Sequence, residues 1–558
     1  MKVSVGTLLR TVARLTPTQV MTRPYARIAP RLATALSLRR KRSAGAERRM
    51  RQWAAVAVRP VEAAAIAEAR EVLSGSASHC GIRVAVDRFS FDSPGRLWTY
   101  EFHFRRWLTG LALLCRSREL SAADVFRSWR DADAAAADEI AMWEPYVLSR
   151  RLCSEALALG LVSGQLPADV INERLNAIEH EVAALGFNTE GHLGANHELA
   201  RAAALGTLTL LLAPEQARYS LERYASTLVS QVDREGLHEE RSPAYHLSSL
   251  SDLRGVIAAL NASEPRSEWA APLAEQLASV GGQMTLALQT LLHPDGSLPM
   301  FHDSPALISP SAGDFAIAPA ETEAVYDFAR SGFCGWRGSI GGTPGHLLAD
   351  FGSPRPRHQP GHQHAAPFAF ELWWGGLLFT SAGVSTYEAN ARRLFERGAS
   401  AHTSLRVDGF DPAEIWSAFR MGRGFAVADR KVSHSDGLFR CSAVHDGFLA
   451  RQHRRTISLT ADGVLNLVDE ITGRGVARVE AFFPVAPEWS VDASHNAVSI
   501  TRGARRVSVS SSDSMRVDHD FEVARRFGQR QRTTCLVISN SGRLPIRIDT
   551  RFQLRSTA

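Results

Sequence analysis

The chain has 558 residues, 45% of them hydrophobic and 22% charged, with six cysteines and a formal net charge of +6. These proportions exclude a disordered chain, a disulfide-stapled mini-domain and a polytopic membrane protein, and leave a soluble globular protein of about two to four domains. The cysteines (Cys80, Cys115, Cys153, Cys334, Cys441, Cys535) are scattered with no CxxC pair, which reads as free thiols rather than a disulfide framework.

Residues 1–45 form a basic arm. Residues 1–51 hold thirteen Lys or Arg against one acid, Glu47; taking these from the chain's 64 basic and 58 acidic residues leaves 51 against 57, so the body is net acidic. The arm has no long apolar run, so neither a secretory signal nor a transmembrane helix is expected. A solvated tail, a transit peptide, a membrane-surface contact and a nucleic-acid arm all fit an Arg-rich, acid-poor segment. With the arm set aside, no nucleic-acid partner is expected.

Residues 46–323 read as helices. AAVAVRPVEAAAIAEAREVL, AADVFRSWRDADAAAADEIAMW, NERLNAIEHEVAALG, NHELARAAALGTLTLLL and PLAEQLASVGGQMTLALQTLL carry apolar residues at three- and four-residue spacing. Short Gly, Pro, Asp and Ser breaks predict antiparallel neighbours, and successive helical hairpins of this kind close into a toroid. Past PDGSLPMFHDS and a Pro/Ala-rich stretch, residues 324–558 become short alternating runs such as PFAFELWW, RRTISLTADGVLNLVDEI and AVSITRGARRVSVSS. Turn residues recur every 8–12 positions or so, the pattern of an antiparallel β-sandwich. The expected fold is an N-terminal (α/α) toroid followed by a C-terminal antiparallel β-sandwich.

Several motifs carry proton-handling side chains without an evident carboxylate pair: Asn196-His197, ERSPAYH with Tyr245 and His246, PDGSLPMFHDS with Asp303, and Gly361-His362-Gln363-His364. If GHQH lies on a strand, its two rings share a face. That palette suits abstraction of a proton next to a carboxylate. In order, and joined by WEPYVLSRR upstream and RRLFERGASAHTSLRVDG downstream, these motifs resemble the heparinase II/III family of polysaccharide lyases over about residues 93–487.

The resemblance implies β-elimination on a uronic-acid glycan, the work of a carbon–oxygen lyase acting on an acidic polysaccharide or oligosaccharide. Such a reaction offsets the substrate carboxylate's charge as the enolate-like state develops, removes the α-proton and protonates the departing oxygen. By resemblance Asn196 and His197 neutralise the carboxylate, Tyr245 is the acid and also the base for one epimer, and His362 is the base for the other. Substrate contacts fall by the same resemblance to Glu240, Arg241, His246, Trp143 and Arg397. Tyrosine titrates near pH 10 on its own, so His246 or Arg241 is expected to lower it.

No cofactor is required for this chemistry, but the resemblance also implies a structural zinc held by His364 and His402. The usual aspartate of a DxG turn reads Ser381-Ala382-Gly383, and His402 is followed by Thr403 rather than Asn. Two histidines alone bind zinc poorly, leaving Asp350 or Asp408 as substitutes.

Plainer readings stand beside each assignment. Asn196 caps a helix, Tyr245 packs in the core, the GHQH histidines sit at a strand edge, Glu239 and Glu240 face solvent, and Asp303 is a turn residue. Two other functions remain open: a toroid glycoside hydrolase using Glu239, Glu240 or Asp303, and a non-catalytic glycan-binding or assembly protein of an envelope-polysaccharide pathway. Trp98, Trp143, Trp373, Trp374 and Trp416 are stacking candidates in any of these, although core packing is the commoner role. Without an export signal the expected location is cytoplasmic, with the arm touching the membrane surface; the periplasm is the alternative.

Overall fold

In a computed structural model, which describes residues 4–35, 42–262, 267–305, 311–321, 323–358, 360–494 and 497–556, helices give way to strands where the sequence pattern changes. Among the described residues thirteen α-helices run from Val5–Val12 to Ala270–Leu291, and the first strand of the large sheets is Ala324–Asp327. The basic arm is largely helical. Val5–Val12 is capped by the Ser4 side chain, which accepts from the Thr7 N–H, and Pro17–Ala35 follows. One short hairpin, Ser76–His79 with Ile82–Ala85, interrupts the helical part. It turns through Cys80 and Gly81, both at positive φ, as a two-residue hairpin turn demands.

Two compact units make up the chain: Met1–Arg14, Asp233–His246 and Leu286–Ala558 form one, and Leu15–Val232 with Leu247–Thr285 form the other. In the second, helical unit, Pro145–Val162 is buried on nearly every face. It starts on Pro145, whose fixed φ suits a first helical position. Small residues let its neighbours close in: a Cβ at Gly160 would meet the Met50 carbonyl oxygen at 2.5 Å, and one at Gly110 would meet that of Ala65 at 1.9 Å. Buried charges tie the same helices, with Arg105 2.8 Å from Glu155 and Arg151 2.9 Å from Glu181.

The first unit is built on two antiparallel sheets. The eight-stranded sheet orders Val427–Ser435, Leu438–Phe448, Arg451–Thr460, Val464–Thr472, Ile546–Ser556, Arg505–Ser511, Ala497–Arg502 and Ser490–Ser494. The nine-stranded sheet includes Gln529–Arg543, Val476–Val485, Phe370–Trp374, Thr343–Asp350 and Phe333–Ile340. Alternate residues of both sheets meet in one core: Phe439, Ile457, Leu467 and Phe552 from the first, Leu347, Phe370, Phe379 and Leu536 from the second. The two-residue period of the sequence is this inward alternation. All six cysteines are free thiols.

Candidate active site

A buried carboxylate organises the first unit's polar centre. Asp303 is wholly buried and accepts two hydrogen bonds of 2.6 Å from Arg393, one on each oxygen. His362 Nδ1 lies 2.9 Å from its Oδ2, and His364 Nε2 lies 2.9 Å from its Oδ1. Burial alone would raise this carboxyl's pKa; Arg393 and the two imidazoles outweigh it and hold the group ionised, well below the usual range.

The two histidines do not lie on a strand. Residues 361–369 form a loop, and the strand Phe370–Trp374 begins only after it. They converge because Asp303 stands between them, each ring taking one carboxylate oxygen, and not because of a strand's pleat. The loop is held from several sides. Arg397 donates to the Gln363 carbonyl at 2.7 Å and to Ser417 at 2.8 Å, Gln363 Nε2 donates to the Glu240 carbonyl, and the His364 N–H donates to His302 Nδ1 at 3.3 Å.

Tyr245 enters from the first turn of the helix Pro243–Ala262. Ser242 Oγ accepts the Tyr245 N–H at 3.2 Å and donates to the Asp303 carbonyl, so Ser-Pro-Ala-Tyr is a cap that ties the phenol to the carboxylate's own backbone. The Tyr245 and His362 rings lie 4.1 Å apart. Tyr387, which no sequence pattern singled out, brings its hydroxyl to 3.2 Å from that of Tyr245. Burial drives the Tyr387 phenol well above its ordinary pKa despite Arg393 over its ring, so it stays neutral and able to donate.

Since Asp303 is ionised, His362 must point Nδ1–H at it, which in the neutral ring places the lone pair on Nε2. Among the described residues no hydrogen-bond partner faces that nitrogen, and the side chain is 13% exposed. The result is an imidazole of fixed tautomer beside a phenol.

Other expected residues have different surroundings. Arg241 ion-pairs with Asp350, donates to Ser353 and Gln363, and lies over the Phe333 ring. His302 Nε2 is 2.9 Å from Asp350, and Arg241 and His302 overcome burial to hold that carboxyl down to about 2. Glu240 is buried rather than solvent-facing. Its neighbour Glu239 is pushed up to about 7 by burial and by Glu240. His246 Nδ1 accepts the His238 N–H at 3.3 Å. Arg397, expected to touch substrate, is wholly buried and spends its donors on backbone carbonyls; its role is to clamp the loop. Asp303, expected as a turn residue or a hydrolytic carboxylate, is the hub, and its firm ionisation makes it a poor acid.

In the helical unit Gly194 occupies the cap position and Asn196 is the second residue of Ala195–Leu212, so Asn196 is not the cap. Asn196 is 8% exposed. His197 Nδ1 is 3.1 Å from Glu190, its ring lies 4.6 Å from that of Tyr146, and Arg150 sits over the other ring at 5.0 Å. Trp143 is half-buried with Arg151 over it. Trp98 and Trp374 are core residues.

The zinc ligands implied by resemblance do approach each other, His364 Nδ1 lying 3.1 Å from His402 Nε2. His402 Nε2 also faces the Glu396 carbonyl at 3.0 Å, which only accepts, so that nitrogen carries a proton. His364 Nε2 carries the proton shared with Asp303, leaving Nδ1 to accept from His402. Ser381, at the usual carboxylate position, is a buried hydroxyl. Asp350 is committed to Arg241 and Asp408 to Arg451. Among the described residues no three His, Cys, Asp or Glu side chains are grouped to hold a metal. This donor set does not fit zinc; the rings are linked through protons.

Residues 320–551 match the family model described as Heparinase II/III-like, C-terminal. Among solved structures the chain is similar to Heparinase III, with a TM-score of 0.70 at 15% identity over 93% of this chain and 86% of that one. It is also similar to a mutant of heparan sulfate lyase HepC from Pedobacter heparinus, with a TM-score of 0.62 at 15% identity over 97% and 89%. No curated protein matches the sequence. The C-terminal region is thus heparinase II/III-like, and the chain has the fold expected of it, an (α/α) toroid followed by an antiparallel β-sandwich.

Proposed function

We propose that this heparinase II/III-like chain is a polysaccharide lyase that cleaves a uronic-acid-containing anionic glycan by β-elimination. The observation that carries the reading is the Tyr245–His362 pair, rings 4.1 Å apart, with His362 held by Asp303. His362 Nε2 takes the proton α to the uronate carboxylate. The electron pair left on carbon forms the double bond as the 4-linked oxygen departs, and Tyr245 gives that oxygen its hydroxyl proton. Asp303 keeps the required tautomer and stabilises the imidazolium that forms, the part a carboxylate plays behind any catalytic histidine. Asn196 and His197 are assigned to the substrate carboxylate, whose charge must be offset as the enolate-like state develops. The neutral Tyr387 hydroxyl supports the Tyr245 oxygen once it has lost its proton.

The test is ultraviolet absorbance over time on a panel of uronate glycans: heparan sulfate, alginate, hyaluronan, chondroitin and acidic bacterial capsules. Absorbance of an unsaturated uronate, present in wild type and lost in Tyr245→Phe and His362→Ala, is expected with one of them. A flat trace across the panel and on the host's own acidic polysaccharide contradicts the proposal.

A further inference from the structure

The first helix is docked with its polar side inward. Arg10 Nη2 lies 2.8 Å from Glu414, Thr7 donates to the same carboxylate, and Trp416 Nε1 donates to Thr11 at 3.1 Å. The opposite side carries Val5, Leu8, Leu9 and Val12, exposed by 73%, 44%, 64% and 56%. Their spacing of three and four residues makes one stripe, the arrangement that ordinarily faces a core. The second helix, Pro17–Ala35, repeats the feature: Met21, Ile28 and Leu32 fall on one face and Val20 beside it, all exposed, while Gln19 and Ala29 are buried. Exposed apolar side chains in such a row mark a surface that meets something apolar.

The surrounding charge identifies the partner. Residues 1–51 carry thirteen Lys or Arg and one acid, a density matched by a strongly anionic surface. A second copy of the chain would bring two such arms together, like charge against like, which disfavours self-association. No described helix is long and apolar enough to cross a membrane. The geometry points to an interfacial membrane anchor: the first helix lays its apolar stripe of Val5, Leu8, Leu9 and Val12 into an anionic lipid bilayer, drawn there by the net positive charge of residues 1–51.

The experiment is co-sedimentation of the full chain with phosphatidylcholine vesicles, with and without phosphatidylglycerol, at low and high salt. Wild type is expected to bind the anionic vesicles, at least tenfold less at high salt, and not the neutral ones. Leu8→Glu with Leu9→Glu is expected to abolish binding with unchanged thermal unfolding, since both side chains face solvent. Absence of binding to anionic vesicles, equal binding to neutral ones, or a double variant that binds like wild type overturns the proposal. So does light scattering that finds a wild-type dimer dissolved by the same substitutions.

Discussion

Two of the buried aspartates described in the β-rich unit, Asp303 and Asp469, are each held by one arginine within a pair of histidines, and only at Asp303 does a histidine keep an open ring nitrogen. Asp469 is held by Arg455 at 2.7 and 2.9 Å and by His453 Nε2 at 2.7 Å; His453 Nδ1 in turn meets His445 Nε2 at 2.9 Å, and His445 Nδ1 accepts the Gly447 N–H at 2.9 Å. Every ring nitrogen in that chain has a partner, and none reaches solvent. Around Asp303 the Arg and two histidines recur, but His362 keeps Nε2 unpartnered among the described residues and packs, tilted, against a phenol. The Asp469 hub sits on the adjacent strands Arg451–Thr460 and Val464–Thr472, whereas Asp303, His362 and Arg393 come from two loops and a short helix. An Asp–His–Arg cluster is therefore no functional signal in itself; the accessible lone pair is what separates the two.

Substitution of each aspartate gives the largest expected effects. Asp469→Asn strands Arg455 without its counter-charge and is expected to cost about 3–5 kcal/mol in urea unfolding, with the rate per folded molecule unchanged. Asp303→Asn is expected to cost a similar amount and also to reduce elimination by about 10²–10⁴-fold. Nitrogen NMR of the histidines supplies a readout independent of turnover, since the Nδ1–H tautomer of His362 should be lost only in Asp303→Asn. Equal loss of rate in both variants would break the comparison.

Removing one histidine from each hub should reverse the balance of effects. His453→Ala leaves Asp469 and His445 short of partners in a dry site, about 1–3 kcal/mol for each group, with little effect on rate. His362→Ala is expected to abolish elimination with far less loss of stability, because its ring is partly exposed. Denaturation midpoints alongside initial rates for both variants decide this.

The smallest effects concern pH. Asp350 is held down to about 2, so the stability it lends the His362 loop is present above its ordinary value of 3.8 and is lost as pH falls towards about 2. Glu239 has the opposite sign. Its folded value of about 7 exceeds the ordinary 4.5, so the protonated form is favoured on folding and stability declines as pH rises between those values. Glu239→Gln is expected to flatten the decline between pH 4.5 and about 7 in a thermal-melt series; an unchanged slope would show that Glu239 does not cause it.

Much of this was legible in the sequence because burial leaves a period. The switch from three- and four-residue spacing to alternation falls at Ala324, where the first strand of the large sheets begins. The loop at Gly361 reads as strand because the apolar run PFAFELWW follows without a break, whereas its histidines bond to Asp303 and its Gln363 carbonyl to Arg397, and the strand begins only at Phe370. Asp303 in HDS has the local appearance of any turn carboxylate; its partners lie 59 and 90 residues away, beyond the reach of spacing rules. Arg397 reads as a substrate contact for a related reason: a charged side chain in a motif suggests a ligand, whereas this guanidinium donates to backbone carbonyls. The second hub left no trace, since His445, His453 and Asp469 merely occupy inward positions of ordinary strands.

The most direct test of the central claim is cleavage of a uronate glycan in heavy-oxygen water, followed by mass spectrometry of the fragments. Elimination by the Asp303-held His362 and Tyr245 predicts an unsaturated non-reducing end and no solvent oxygen at the cleaved bond. Heavy oxygen in the product, without a double bond, would mean hydrolysis and would contradict the account.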